Sequence, residues 1–521
     1  MGKGQIMSNA KLLAITVERF KSFEARTRVE LAPLTIILGR NNSGKSSLIQ
    51  SLLLLKQTIE DPGPEVRLNT NGRFLDALSL REITFGWPAA VESKTVKGPS
   101  IAIEWECETA VRERTRDRCE QSLVDRPEVR TLRTRMTIDT EEIDNITDFS
   151  TLKLESMENG TTLMIANEDG RVSCRLDGLL VEGLRVDFDH FFPYIWSDIE
   201  KRRSEKRLRA CSAAFDTLFS LPLQELQILL SNMLFLGSGR ETPPALYRAR
   251  TTPNDVGVSG ELAAHLLHRR ARDIVHYLPL PNVSSEPPVI PDTVHARPFI
   301  VAVNDVMKAL SIDVEVHVDD LADFGFRVMF GNASIVHVGR GLAYLLPLVE
   351  IGLFADPARF AGAEGDLPLS GYRALGAFTH IALEEPEAHL HPKAASRLAH
   401  WLVSLALSNR RIIVETHSDH LVRRLRGLAA RAGRESELEK WIIDNVIILS
   451  VEQVNGRSTV TSSRLTAEGG VEEVWPADFM DEASDEESAI YYAKLDKRVD
   501  EPSVDSVQWD DGAEPELDDE P

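Results

Sequence analysis

Three short clusters of residues carry the chemistry legible in this chain. The first is Gly39-Arg40-Asn41-Asn42-Ser43-Gly44-Lys45-Ser46, followed by Ser47, with the pattern GxxxxGK and a closing hydroxyl residue. The glycines permit a tight turn, so that successive N–H groups around Asn41, Asn42, Ser43 and Gly44 can face phosphate oxygens. A helix start there adds its positive dipole end. Lys45 is then expected to reach the β- and γ-phosphates of ATP, and Ser46 to ligate Mg²⁺. The second cluster is Glu384-Glu385-Pro386-Glu387, after the apolar run His380-Ile381-Ala382-Leu383. Alternate strand residues point to opposite faces, so adjacent carboxylates at a strand end can take different tasks. Glu384 suits the Mg²⁺ shell, and Glu385 suits polarising the attacking water. An acidic pair after a strand is as often a solvated turn; the phosphate loop elsewhere in the chain favours the catalytic reading. The third cluster, Glu415-Thr416-His417-Ser418, ends another apolar run. His417 there can hydrogen-bond a γ-phosphate, although a loop histidine taken alone is usually without chemistry.

These clusters need strands that end together. Leu34-Thr35-Ile36-Ile37-Leu38 is nearly continuous in apolar residues, as are residues 376–383 and 411–416. Such runs fit strands of a parallel sheet buried on both faces. A Leu-rich stretch free of Gly and Pro predicts a helix from about Ser46 to Gln57. Residues 100–185 alternate in short pieces, with Asn159-Gly160 and Asp169-Gly170 as hairpin turns. Within them, Arg112 to Arg135 holds eight arginines and reads as an exposed, self-paired insertion. Residues 186–235, 261–275 and 299–310 read as helix, and the Gly-, Pro- and Thr-rich stretch 236–260 as loop.

Composition narrows the class. Hydrophobic residues make up 43% and charged residues 27% of 521 positions, ordinary for a globular chain. No apolar run reaches the ~18–20 residues that cross a bilayer, and Met1 to Ala10 has no apolar stretch of a signal peptide. With four cysteines and no CxxC spacing, a reduced, cytoplasmic setting without a membrane is expected. The net charge is −22, and residues 481–521 hold 16 Asp/Glu against 3 Lys/Arg. That tail has a disordered composition, and the acidic balance disfavours non-specific nucleic-acid binding by the overall field. Lys201-Arg202-Arg203-Ser204-Glu205-Lys206-Arg207 is a local exception, so nucleic acid stays open as a partner.

The stretch from Glu384 to Pro392, with Glu415 to Ser418, resembles the EEPExHLHP and ETHS signatures of RecF/SMC-like ABC ATPases. Within that superfamily the chain resembles the short OLD- and Septu-type AAA ATPases, which often serve bacterial anti-phage defence. Val17 to Phe23 resembles the family's "NFKSF" loop. Gly237 to Glu241 and Gly257 to Glu261 resemble a "GPLRE … VGxxGE" stretch. Val338 to Leu342 with Leu346-Pro347 resembles the "DVGxGxxQxLP" signature segment, and Gly469 to Phe479 resembles a short C-terminal module. The resemblance covers most of residues 11–480. It implies a head that dimerises, or forms a higher oligomer, around ATP. In it Lys45 and Ser46 contact phosphate and Mg²⁺, Glu384 is the Walker B acid, Glu385 the catalytic carboxylate and His417 the switch histidine. Arg340-Gly341 stands where better-known heads carry Ser-Gly, and Arg340 there either contacts a γ-phosphate in trans or weakens the sandwich.

The expected fold is α/β: an ABC-type P-loop ATPase head with an antiparallel β-lobe and a helical insertion. Residues 1–100 hold the N-terminal part of the head, 101–185 the β-lobe, and 186–335 a mainly helical insertion. Residues 336–465 hold the C-terminal part of the head, and 466–521 a C-terminal module with the acidic tail. The expected function is ATP hydrolysis that senses a trigger and controls a separately encoded effector, a nuclease or toxin, in anti-phage defence. The segment after the switch histidine is too short for a nuclease module, so no intrinsic nuclease is expected. Two other classes stay open: a DNA-repair or chromosome-type ATPase that clamps DNA, and an ATP-bound scaffold with little hydrolysis.

Overall fold

In the computed structural model, which describes residues 8–63, 67–87, 95–111, 128–143, 146–168, 171–197, 206–248, 253–281 and 287–472, the chain builds two large sheets of opposite character. Lys11–Glu18 (β1) and Thr27–Glu30 (β2) pair antiparallel, and Leu34–Leu38 (β3) then crosses into the second sheet, followed by helix α1, Lys45–Glu60. Thr95–Val111 (β4), Glu128–Ile143 (β5), Ile146–Ser156 (β6), Thr162–Glu168 (β7), Arg171–Leu176 (β8) and Leu179–Leu180 (β9) complete the first sheet. It is eight-stranded and antiparallel throughout, in the order β2-β1-β4-β5-β6-β7-β8-β9. The Asn159-Gly160 turn joins β6 to β7, with Gly160 at φ 73°. Arg130, Arg133 and Arg135 lie in β5, paired to β4, rather than in an exposed loop; residues 112–127 lie outside the described residues, as does Asp169-Gly170.

Helix does not begin at residue 186. Leu184–Asp189 (β10) and Phe192–Ser197 (β11) form a hairpin of their own, turning at His190 with φ 57°. Arg185, Asp187, Tyr194 and Trp196 are exposed, while Val186 and Ile195 are half-buried, a period of two that belongs to strands. The helical part starts with Lys206–Ala214 (α2), passes a π-turn at Phe215–Phe219, and continues as Ser220–Asn232 (α3).

Leu234–Leu236 (β12), Ala263–Arg270 (α4), Ile274–Tyr277 (β13), Thr293–Pro298 (β14), Phe299–Ala309 (α5), Val316–Asp320 (β15), Phe326–Phe330 (β16) and Ala333–Ser334 (β17) follow. The stretch 186–335 therefore mixes strands with helices instead of being mainly helical. The helix expected over 261–275 stops at Arg270 because Ile274 enters β13 and pairs with Pro298.

Next come Arg340–Phe354 (α6), Leu367–Pro368 (β18), Thr379–Glu384 (β19), Pro392–Leu407 (α7) and Arg410–Glu415 (β20). Asp419–Arg431 (α8), Glu437–Asn445 (α9), Val446–Val454 (β21) and Arg457–Arg464 (β22) follow, and Leu80–Ile83, Ala358–Ala361 and Leu369–Arg373 form short helical turns. The second sheet runs β12-β19-β20-β3-β21-β22, parallel except for β22. All five residues of β3 are buried, as are the first five of β19, which is the signature of strands covered on both faces. β12, which comes from the middle of the chain, adds an edge strand that the sequence does not announce. Trp105 of β4 ties the first sheet to α3, its indole N–H donating to Pro222 O at 2.9 Å. Among the described residues no helix is long and apolar enough to cross a membrane. These residues belong to one unit, Met1–Val474; a second unit, Trp475–Pro521, lies outside the described residues, and with it the expected acidic tail.

A buried polar network anchors the start of β20. Arg410 is fully buried and donates to Gly352 O at 3.0 Å, His276 O at 2.8 Å, and both Ser408 O and Ser408 Oγ at 3.0 and 2.9 Å. Asp356, equally buried, accepts from Tyr372 OH at 2.7 Å and from the His276 backbone N–H at 2.8 Å, and stands 3.9 Å from Arg410. Burial opposes its charge, but the His276 hydrogen bond, the Arg410 guanidinium and Tyr372 together hold its carboxyl below the usual range. Removing one partner of such a buried pair strands the other. Asp356→Ala should lower the unfolding free energy by about 3–5 kcal/mol. Urea melts of the variant beside Asp356→Asn, which keeps an acceptor, would check this; equal midpoints for wild type and Asp356→Ala would refute it.

Candidate functional site

The phosphate loop joins β3 to α1, and three residues in it take the left-handed region: Gly39 at φ 151°, Asn42 at 61° and Gly44 at 101°. A Cβ on Gly39 would lie 2.3 Å from Val451 O of β21, so only glycine allows β21 to pass this close. Alternation of this kind makes a concavity of backbone donors. Lys45 is buried at the mouth of α1, and its Nζ donates to Arg40 O at 2.8 Å. Burial lowers its pKa, against the attraction of Glu415 and Glu385.

The carboxylates arrive through strand register. Glu384 of β19 pairs with Glu415 of β20, which pairs with Ile37 of β3, so the carboxyl ends of three parallel strands form one edge. Glu385 leaves β19 with φ 44°, and its N–H donates to Glu415 O at 2.8 Å. Its Oε1 stands 3.9 Å from His417 Nε2. Glu387 accepts from Thr416 Oγ1 at 2.6 Å and from the His417 N–H at 3.1 Å, which fixes the loop that carries His417. Burial lowers the His417 pKa, helped by Lys45 and opposed by Glu385.

A cavity of about 450 Å³ results, lined by Asn41, Asn42, Ser43, Gly44, Lys45, Ser46, Ser47, Glu385 and His417, and also by Lys21, Ser22, Glu415 and Gln453. Gly39 is not among the residues that line it and packs on β21. Glu384 is not on its wall: Glu384 Oε2 accepts from the Ser238 N–H at 3.1 Å, and Arg240 donates to Glu384 O at 3.1 Å. Burial raises the Glu384 pKa, against the Ser238 hydrogen bond and Arg240. Arg340 and Gly341 stand apart from this cavity at the N-terminus of α6, where Arg340 is exposed. A Cβ on Gly341 would meet His389 O at 2.4 Å, so this glycine lets α6 rest on the loop after the acids. The other histidines of that region serve structure: His391 accepts from the Lys393 N–H as the cap of α7, and the rings of His389 and Tyr344 meet at 5.3 Å.

Four residues, Lys21, Ser22, Glu415 and Gln453, line the cavity without having been singled out, and Arg240 stands beside Glu384 off its wall. Glu415 Oε1 accepts from Ser46 Oγ at 2.9 Å and stands 3.9 Å from Lys45 Nζ. Burial and the repulsion of Glu384 push its pKa up to about 7, against the Ser46 hydrogen bond and Lys45. Its position at the end of an apolar run was the available signal. Lys21, whose Nζ donates to Gln50 Oε1, comes from the β1–β2 loop and Gln453 from strand β21, and only packing brings them here. Burial pushes Arg240 down to about 10, with Glu384, Glu385 and Glu387 opposing.

A carboxyl whose folded pKa is raised binds more protons folded than unfolded between the ordinary carboxylate range and pH 7. Stability from this group is therefore lost as pH rises through that window. Glu415→Gln should gain in melting temperature relative to wild type, without nucleotide, on going from pH 5 to pH 8. A difference that stays constant across the range would refute this.

The comparisons with known proteins bear on the same residues. The AAA ATPase domain family model matches residues 11–168 and 379–422, which hold β3, the phosphate loop, Glu384, Glu385 and His417. No curated protein sequence matches the chain. Solved structures similar to it include an SMC head bound to the C-winged helix domain of ScpA, at 13% identity and TM-score 0.39, covering 87% of this chain and 98% of that one. The SMC head domain from Thermotoga maritima is 11% identical with TM-score 0.33, covering 87% and 98%. An Smc head domain with an extended coiled coil, bound to the C-terminal domain of ScpA derived from Pyrococcus furiosus, is 12% identical with TM-score 0.36, covering 94% and 100%. The chain thus carries an AAA-type P-loop ATPase domain, assembled from residues 11–168 and 379–422 across a long intervening segment.

Proposed function

We propose that this chain binds Mg²⁺·ATP in the cavity above α1 and hydrolyses it to ADP and phosphate. One observation carries the reading: Lys45, Ser46, Glu385 and His417, drawn from three separate stretches of sequence, line the same cavity of about 450 Å³. Glu385 accepts the proton of the attacking water. Its neighbour His417 donates to the γ-phosphate, and Lys45 exchanges Arg40 O for phosphate oxygens. The Ser46 hydroxyl is a group for the cation; the motif resemblance assigns it Glu384 as well, but Glu384 lies off the cavity wall with Oε2 held by the Ser238 N–H, whereas a buried, donorless acceptor on the wall, Glu415 Oε2, fits a cationic site. Mg²⁺, when bound, neutralises charge on the β- and γ-phosphates. Arg340, exposed on α6, completes the site of a second copy across an ATP-bridged dimer. The motif resemblance supports a role in which ATP-gated dimerisation controls a separately encoded effector, nuclease or toxin, in anti-phage defence.

Phosphate release by wild type, Lys45→Ala and Glu385→Gln, with size-exclusion in the same buffers, tests this. Lys45→Ala should abolish ATP binding. Glu385→Gln should keep binding, lose about 10²–10⁴-fold in turnover, and accumulate a larger ATP-locked species. Unchanged turnover in Glu385→Gln would remove it from the catalytic role.

A second reading, direct contact with nucleic acid, is favoured by the hairpin β10–β11. Tyr194 and Trp196 are exposed beside Arg185, and α2, which packs against β11, exposes Lys206, Arg207 and Arg209. Aromatic rings with adjacent cations make a stacking surface for single strands. On this reading Trp196→Ala weakens binding of a labelled oligonucleotide about tenfold, and Arg207→Glu with Arg209→Glu removes its salt dependence. No binding by wild type at 50 mM salt would dismiss this reading.

A further inference from the structure

Glu415 occupies the position that the motif reading leaves to Glu384. Counting outward from the phosphate-loop strand β3, its neighbour β20 brings the first carboxylate and β19 the second. Glu415 is the one that reaches the loop: Oε1 accepts from Ser46 Oγ at 2.9 Å and lies 3.9 Å from Lys45 Nζ. Its other oxygen, Oε2, is buried and has no donor, and the side chain is only 6% exposed. Glu384, by contrast, gives Oε2 to the Ser238 N–H and lies off the cavity wall. A buried carboxylate oxygen without a donor is costly, so such atoms mark places where a cation or its water completes the shell. Mg²⁺ retains several waters and uses one or two carboxylates besides phosphate oxygens, which suits an acid touching the metal-binding hydroxyl.

We infer that Glu415 is a metal-side residue of the nucleotide site, orienting Ser46 Oγ and accepting hydrogen bonds from the water shell of the cation that accompanies ATP. This inference rests on the proposed binding of Mg²⁺·ATP at this loop. The competing role is a latch, in which Glu415 merely holds Lys45 and Ser46 until phosphate displaces it. The two differ in sign. A metal-side carboxylate strengthens nucleotide binding only when the cation is present, whereas a latch weakens binding with or without it.

The test is calorimetric affinity for ATP in 5 mM Mg²⁺ and in EDTA (about millimolar, in excess of contaminating metal), for wild type, Glu415→Gln, Glu415→Asp and Glu384→Gln. Thermal melts of each variant are run alongside. Mn²⁺ in place of Mg²⁺ adds an electron paramagnetic resonance readout of bound cation that does not depend on turnover. Glu415→Gln should bind ATP as wild type does in EDTA, lose about tenfold or more of the gain on adding Mg²⁺, and bind less Mn²⁺ in the presence of ATP. Glu415→Asp should recover part of that gain. Tighter ATP binding by Glu415→Gln in both buffers overturns the inference in favour of a latch. A full Mg²⁺ gain in Glu415→Gln with its loss in Glu384→Gln overturns it in favour of the motif assignment. Should wild type bind no ATP in either buffer, the nucleotide reading falls first and this inference with it. If Glu415→Gln melts early, the aspartate variant carries the same comparison.

Discussion

β3 is hydrogen-bonded on both sides by parallel strands, β20 on one and β21 on the other, and every functional position is measured from that ladder. Parallel pairing in register makes the carboxyl ends of β3, β20 and β19 finish at one edge, where ligands of open α/β sheets bind. The phosphate loop leaves β3 there, Glu415 ends β20 there, and Glu384 ends β19 there. A slip of one residue in β20 would turn Glu415 to the opposite face and part it from Ser46. The tightness of the fit also fixes sequence locally, since β21 passes so near Gly39 that any side chain would strike Val451 O.

The same edge concentrates charge in a way that water alone would not stabilise. Glu384, Glu387 and Glu415 are all raised in pKa, chiefly by burial, while Lys45, Arg240 and Lys21 are lowered for the same reason. Both signs are being desolvated together. Direct pairs in the structure are few and long, such as the 3.9 Å contacts of Lys45 with Glu415 and of His417 with Glu385. Polar groups held apart in this manner serve a charged ligand better than one another, because they need little rearrangement when phosphate and cation enter. The buried Arg410–Asp356 network at the far end of β20 is the opposite case, with the Arg410 guanidinium and the Asp356 carboxylate answered by short hydrogen bonds from within the fold.

Particular elements show how far the sequence carried. The phosphate loop, the apolar strands around it and the acid-ended strand at Glu384 were legible because each is written in consecutive residues with a fixed period. Residues 186–197 read as helix although Arg185, Asp187, Tyr194 and Trp196 alternate, since the stretch is short and runs into a helical segment. β5 absorbed arginines assigned to an exposed insertion because its partner β4 lies on the other side of residues 112–127. β12 escaped notice because three residues have no period; it is a strand only through pairing with β19.

What the sequence determined by itself is the chemistry of the site: a loop able to cradle phosphate, a hydroxyl for a cation, paired acids and a histidine, each recognisable from residue type and spacing within a few positions. What only the tertiary structure decided is which acid serves which partner. Glu384 and Glu415 are 31 residues apart and look alike as strand ends. The order of strands across the sheet, a product of non-local pairing that no local pattern encodes, sets Glu415 against Ser46 and turns Glu384 toward Ser238 and Arg240.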